Sequence, residues 1–372
     1  MKLIQLIQKP QRRGAEIFAA QLSEQLRLSG QEVLLVSIFE GDSDLPFTGE
    51  LIKLNRPISN RFFDFKAWSD FAKIVKRFNP EVIQANAADT LKFSVFSKIL
   101  FRWKTPIIYR NANQMGDFIR NGFHRSFNQW LLNQVSGIVS VSEASKANLH
   151  QTFRMTEDKS MVIPIGIDPL KLEKGIDEKS DLALPENYLL QIGGLVPEKD
   201  PLGMLYIFLL IYEKYPNLNL VFLGDGPLES DLLNKIKAHG LEDSVRLIPS
   251  QHNIFPILAQ AQALVMPSKI EGLPGVILES MYCRVPVIAY SVGGISEVLT
   301  DQTGWLIPAG DQKAFAEAID QVLQLTERER NQITERAFQL VSTDFTIEKI
   351  ATQFEEFYSG VIARIETKND ST

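Results

Sequence analysis

Short apolar runs alternate with longer stretches of helical periodicity along most of the chain. In the first half the runs fall near residues 3–7, 32–38, 51–54, 82–85, 107–109, 137–141 and 161–163. In the second they fall near 188–192, 219–223, 245–248, 263–266, 285–289 and 304–307. Runs this short and this apolar read as strands buried on both faces, and their alternation with helices predicts doubly wound α/β domains around parallel sheets. After about Phe315 the sequence turns polar and helical. A last helix over 346–364 puts Ile347, Ile350, Ala351, Phe354, Phe357, Tyr358 and Val361 on one apolar face. Between the halves, residues 169–181 carry seven charges, so 171–185 reads as a linker. The expected organisation is one domain over 1–170, a second over 186–345, a final helix over 346–365 and a polar, disordered tail.

At 372 residues the chain can bury two cores, and its 45% apolar and 23% charged content is that of an ordinary globular protein. The single cysteine, Cys283, excludes an internal disulfide and fits a reducing compartment. Neither it nor the scattered His124, His150, His239 and His252 has metal-ligand spacing, so no metal is expected. The longest apolar stretch, near 203–212, is too short to span a membrane, and the first residues lack a signal-peptide pattern. Together these features predict a cytoplasmic protein. The net charge of −6 conceals an asymmetry: residues 1–180 carry 25 Lys and Arg against 19 Asp and Glu, and the remainder 14 against 26. The basic half is the one suited to an anionic partner.

The most informative chemistry lies at Glu271-Gly-Leu-Pro-Gly-Val-Ile-Leu-Glu279, which follows an apolar strand ending in turn residues. Pro274 suits the first position of a helix, which would run from about Gly275 to Cys283. Glu271 then falls on the loop and Glu279 just inside the helix. Between them the amides of Gly272, Leu273, Gly275 and Val276 lack a helical partner, and such a helix start binds phosphate. Carboxylates flanking an anion cradle suit a ligand that is diphosphate and sugar at once. Read alone, the segment is also compatible with two solvated glutamates on an ordinary strand–loop–helix.

The wider context decides for the former. Ser268, Glu271, Gly272, Leu273, Glu279, Pro286, Val287, Gly293, Gly294 and Glu297 keep the order and spacing of a known signature. In this the chain resembles the retaining glycosyltransferases of family 4. Ser280 stands where alanine is usual and Arg284 where glycine is usual. The resemblance implies a GT-B fold, two Rossmann-like domains facing a cleft with the carboxy-terminal helix returning to the first. It implies transfer of a sugar from a nucleoside diphosphate donor to a glycan or lipid-linked glycan, with retention of configuration, no cofactor, no metal and no nucleic acid.

It also implies roles for particular residues. Glu271 would orient the donor sugar and Glu279 the ribose hydroxyls. Lys199 matches the lysine that holds the donor diphosphate, within a loop that includes Gly193 and Gly194. Gly194 stands where relatives carry an arginine. Gly14 falls in the first-domain loop that touches the donor phosphate, and 223–227 matches a glycine turn near the nucleotide. Ser250, His252 and Ile254 lie where relatives hold the base. Gln84 and Asn86 replace two histidines; Asn86 could hydrogen-bond a sugar hydroxyl but could not take up a proton. Asp89 and 110–113 are further polar candidates, whereas Asp42 and Asp44 read as solvated.

Two first-domain segments, 61–78 and 92–104, interleave bases with aromatics. They read either as core helices with snorkelling bases or as a peripheral contact with an anionic membrane. Two other readings of the whole remain: a GT-B nucleotide-sugar epimerase or hydrolase, and a non-catalytic nucleotide-sugar-binding partner of a true transferase.

Overall fold

The computed structural model describes residues 1–178 and 182–370. It divides into two compact units, one made of Met1–Gly166 and the chain from Ile347 onward, the other of Ile167–Thr346.

The first unit has strands β1 (Lys2–Ile7), β2 (Glu32–Phe39), β3 (Glu50–Arg56), β4 (Val82–Ala85), β5 (Ile107–Asn111), β6 (Gly137–Ser140) and β7 (Ser160–Val162). Helices α1 (Gly14–Leu28), α2 (Phe65–Phe78), α3 (Ala88–Phe101), α4 (Gly122–Asn133) and α5 (Glu143–Thr152) run between them. The strands pair in parallel in the order β3-β2-β1-β4-β5-β6-β7. Central strands are buried and mainly apolar because helices cover both faces, and β2 is buried from Val33 to Phe39. The edge strand β3 is polar and half-exposed, as an edge should be. Local signals set the helix ends: Asp64 accepts from the Ala67 amide at 2.9 Å to start α2, and Asn79 in the left-handed region stops it.

The second unit opens with α6 (Pro169–Asp177) and continues β8 (Tyr188–Ile192), α7 (Pro201–Tyr212), β9 (Asn219–Leu223), α8 (Glu229–Ala238) and β10 (Val245–Ile248). Then come α9 (Phe255–Ala259), β11 (Ala263–Met266), α10 (Gly275–Tyr282), β12 (Val287–Tyr290), β13 (Trp305–Ile307), α11 (Gln312–Gln324) and α12 (Glu327–Asp344). Its parallel sheet has the order β10-β9-β8-β11-β12-β13. Leu189, Leu205, Phe208, Phe222, Val265 and Phe315 form the middle of its core. The last helix, α13 (Ile347–Asp370), belongs to the first unit, where Phe354 packs on Phe18 of α1 with ring centroids 6.1 Å apart.

Three expectations need correction. The segment 171–185 is not a plain linker: Asp168 caps α6 through the Lys171 amide at 3.1 Å, so its first half is helix within the second unit. Residues 179–181 of that segment lie outside the described residues. The tail is helical to Asp370, since α13 continues past its last buried residue; 371 and 372 lie outside the described residues. Finally, β12 starts two residues later than expected, because Arg284 (φ +57°) ends α10 in the left-handed region. The Val285 amide reaches back to the Ser280 carbonyl at 3.0 Å and the Arg284 amide to Met281 at 3.1 Å, a Schellman ending. This conformation explains why glycine is the usual residue at that point.

Candidate active site

In the second sheet the strand order reverses between β8 and β11, and in an open parallel sheet ligands bind beyond the strand ends at such a point. Two loops meet there, 193–200 after β8 and 267–274 after β11. The Lys269 amide donates to the Glu198 carbonyl at 2.8 Å, and Lys269 Nζ pairs with Asp200 at 2.9 Å. The central link is charged: Lys199 Nζ lies 2.5 Å from Oε1 of Glu271, whose side chain is buried. Gln191, at the end of β8, donates to the Lys199 carbonyl at 2.8 Å and so positions the lysine's backbone.

Glycines let neighbouring loops close on this pair. Gly224 (φ +144°) lies against Gly193, where an added Cβ would come within 2.1 Å of the carbonyl oxygen. Gly293 (φ +56°) sits equally close to the Glu271 carbonyl, and the Gly294 amide donates to Gly272 at 2.6 Å. Only glycine fits such approaches.

The helix start lies after Glu271, with one adjustment to its first residue. Pro274 is the cap residue of α10 rather than its first helical residue, and its carbonyl accepts from Ile277 at 3.2 Å. The amides of Gly272, Leu273, Gly275 and Val276 have no backbone acceptor. The Leu273 side chain is buried. Glu279, farther along α10, has its carboxyl pushed up to about 7 by burial, with Lys171 acting in the opposite direction. Cys283 nearby is pushed up to about 12 by burial and by Glu279, which leaves an unreactive thiol.

The first unit has its own reversal, between β1 and β4. There Gln5, Gln84, Asn86 and Tyr358 form a buried closed network. Asn86 donates to Gln5 at 2.9 Å and to the Leu6 carbonyl at 3.3 Å, and accepts from Gln84 at 2.9 Å. Tyr358 of α13 donates to Gln84 at 2.7 Å and accepts from Gln5 at 3.1 Å. Asp89 holds Gln8 at 2.6 Å and Lys92 at 3.1 Å.

Residues 12–170 match the family described as Glycosyltransferase Family 4, and residues 173–340 the one described as Glycosyl transferases group 1. The chain belongs to this glycosyltransferase family. It is similar to the N-acetyl-alpha-D-glucosaminyl L-malate synthase of Bacillus anthracis, 26% identical over 94% of each chain. It is also similar to the amylovoran biosynthesis glycosyltransferase AmsD of Erwinia amylovora, 24% identical over 92% of this chain and 95% of that one. Among solved structures, Anabaena Alr3699/HepE in complex with UDP and glucose has the same fold, with a TM-score of 0.80 and 20% identity over 96% of this chain and 99% of that one.

In this glycosyltransferase the second unit brings together Gly193, Gly194, Lys199, Glu271, the cradle amides and the glycine turn at Gly224. Gly14 stands apart in the first unit, at the first position of α1 with open space around it. Ser250 is tied to that turn through Asp225, which accepts from its amide at 3.0 Å. Asn86 does not become a sugar contact: its amide is already committed to Gln5, Gln84 and the Leu6 carbonyl. Gln191 and the Lys269–Asp200 pair escaped the sequence reading. A lone polar residue at the carboxyl end of the apolar strand 188–192 was the available signal for Gln191. Among the described residues no three His, Cys, Asp or Glu side chains are gathered as a metal could require, and no helix is long and apolar enough to cross a membrane.

Proposed function

We propose that this glycosyltransferase moves a sugar from a nucleoside diphosphate donor to a hydroxyl of a glycan, with retention of anomeric configuration. The observation that carries the reading is the Lys199–Glu271 pair beside the free amides of α10, at the strand reversal of the second sheet. The amides and Lys199 neutralise charge as the bond between anomeric carbon and diphosphate oxygen breaks. Glu271 holds a hydroxyl of the donor sugar, and Glu279 the ribose. The acceptor oxygen bonds to the anomeric carbon on the face the diphosphate leaves, and its proton passes to a diphosphate oxygen. No histidine base enters, which agrees with amides at 84 and 86. Cations of the protein and helix amides take the place of a divalent ion, so chelators leave the rate unchanged.

Two relatives support the choice of substrates: the Anabaena protein was solved with UDP and glucose, and the Erwinia enzyme serves amylovoran biosynthesis. The basic first unit meets the acceptor at an anionic surface, a membrane bearing a lipid-linked glycan. Exposed Phe62, Phe63 and Phe65 near Lys66, and exposed Ile99 and Leu100 near Arg102 and Lys104, support that contact.

A panel of nucleotide sugars read by thermal shift, followed by transfer assays with the stabilising donor, tests the reading. A product of unchanged anomeric configuration is expected. Donor binding without transfer to any acceptor would favour a non-catalytic partner, and donor turnover without an acceptor an epimerase or hydrolase.

A further inference from the structure

Arg110, the fourth residue of β5, is 2% exposed and ranks among the largest fully buried side chains. Its guanidinium carbon lies 4.3 Å from the centre of the Phe18 ring of α1, yet Nε and Nη1 are buried without an acceptor. The neighbouring amides offer none, because Gln5, Gln84, Asn86 and Tyr358 satisfy one another. Glu16 acts on Arg110 through space, but its carboxyl accepts from Gln11 at 2.9 Å and forms no ion pair with the arginine. Burial raises the Glu16 pKa and draws Arg110 down to about 10, with Tyr358, Glu16 and Tyr109 opposing the fall; the guanidinium stays charged at neutral pH. A buried charge without a partner is strongly unfavourable, and a bound anion would supply the partner.

A second feature points the same way. Glu16 and Phe18 lie in the first turns of α1, which starts at Arg13 with no side-chain cap. The Gly14 and Ala15 amides meet no backbone acceptor, and a Cβ added at Gly14 would have nothing within 4 Å. An uncapped helix start and a guanidinium both favour a planar or tetrahedral oxyanion. Both lie at the carboxyl end of the first sheet: α1 follows β1, beside which the strand order reverses, and Arg110 is near the end of β5, two strands along.

We propose that Arg110 anchors an anionic group, a carboxylate or a phosphate, carried by the acceptor, with the start of α1 completing the site. This rests on the glycosyltransferase reading. The donor diphosphate has its own cation and amides in the second unit, which leaves Arg110 to a different anion. The acceptor is accordingly an acidic sugar or a phosphorylated one.

The Arg110 Nε–H resonance, assigned by its loss in Arg110→Met, is followed while inorganic phosphate or, in a separate arm, acetate is added. The resonance should move to saturation, and still do so in Lys199→Met, where the donor-side cation is gone. Movement with phosphate alone identifies a phosphorylated acceptor, and with acetate alone a carboxylated one. Free Arg110→Met should be at least as thermostable as the parent and should lose the anion's stabilisation. Its KM for a charged acceptor should rise tenfold to a hundredfold, about the loss expected for a charged hydrogen bond, with donor affinity unchanged. No movement with either anion, or a marked loss of stability in Arg110→Met with the anion response intact, overturns the proposal. Anion binding at Arg110 in a protein that transfers no sugar would instead defeat the glycosyltransferase reading alone.

Discussion

Lys199 Nζ and Glu271 Oε1 stand 2.5 Å apart, so the cation and the carboxylate at the switch point of the second sheet neutralise each other. On the roles proposed for them, a diphosphate would compete with Glu271 for the lysine, and the sugar with the lysine for Glu271. Lys199→Met should therefore weaken nucleoside diphosphate binding by about 1.5–3 kcal/mol, the worth of a charged hydrogen bond. Glu271→Gln should leave that affinity unchanged or raise it, while lowering the transfer rate. Calorimetry with the diphosphate beside a transfer assay separates the two. An equal loss of diphosphate affinity in both variants would contradict this division of roles.

Glu279 brings a pH dependence. Its carboxyl titrates at about 7 in the folded protein, against an ordinary 4.5, chiefly because of burial. Between those values the folded state holds a proton that the unfolded state has lost, so stability from this group falls as pH rises from about 4.5 to 7 and then levels off. Glu279→Gln should remove that slope and gain on the order of 1–3 kcal/mol above pH 7. Ribose hydroxyls donate better to the ionised form, so wild-type nucleotide affinity should improve from pH 6 to 8 and the Gln variant should not. A parallel pH profile in both proteins would rule out Glu279 as the group responsible.

Gly194 leaves room for the arginine that relatives carry. The atoms nearest a Cβ there would be the Asp225 carbonyl at 3.6 Å and Val196 at 3.7 and 3.9 Å, ordinary contacts. Gly194→Arg should fold normally and tighten donor binding several-fold by adding a second cation. A folded variant with unchanged donor affinity would mean that the loop directs position 194 away from the diphosphate.

Arg284 occupies the left-handed end of α10, held by Glu335 at 2.8 Å and stacked 3.6 Å from the centre of the Phe338 ring. Alanine would lose those contacts and keep the strained backbone, whereas glycine would lose them and relieve it. Chemical denaturation should place Arg284→Gly above Arg284→Ala by about 1–2 kcal/mol. Equal stabilities would show that the strain is absorbed elsewhere.

The strands could be read from sequence because each is a short apolar run buried on both faces, a pattern that needs no knowledge of its partners. Glu271, Lys199 and the helix start could be read because a spaced signature carried them. The closed network around Asn86 could not. Whether an amide points to a ligand or inward depends on Gln5, Gln84 and Tyr358, which lie up to 353 positions apart in sequence. Arg110 was visible only as one polar residue in 110–113; its lack of an acceptor is a property of the packed sheet. The linker was misread because charge alone does not distinguish an exposed helix from a flexible stretch, although Asp168-Pro169 was a helix-start signal.

The two basic, aromatic segments divide between core and surface. Trp68, Phe71, Ile74 and Val75 of α2 are buried, as are Leu91, Phe93 and Val95 of α3. Lys98 is also committed to the fold, donating to the Thr105 carbonyl at 3.0 Å, so it is no membrane ligand. What stays outside is Phe62 and Phe63, 71% and 72% exposed, together with Lys66, Arg102 and Lys104. The start of α2 meets the end of α3 through Phe65 and Phe101, ring centroids 5.4 Å apart. Each base near an anionic bilayer contributes about 1 kcal/mol, screened within a Debye length, while the aromatic rings contribute a part that salt does not screen. Replacing Lys66, Arg102 and Lys104 by Ser should abolish the salt-sensitive part of sedimentation with anionic liposomes. Phe62→Ser with Phe63→Ser should lower binding at every ionic strength, and neither set should change donor affinity. If the parent protein ignores anionic liposomes at low salt, the surface is not a membrane contact and the acceptor reaches the enzyme from solution.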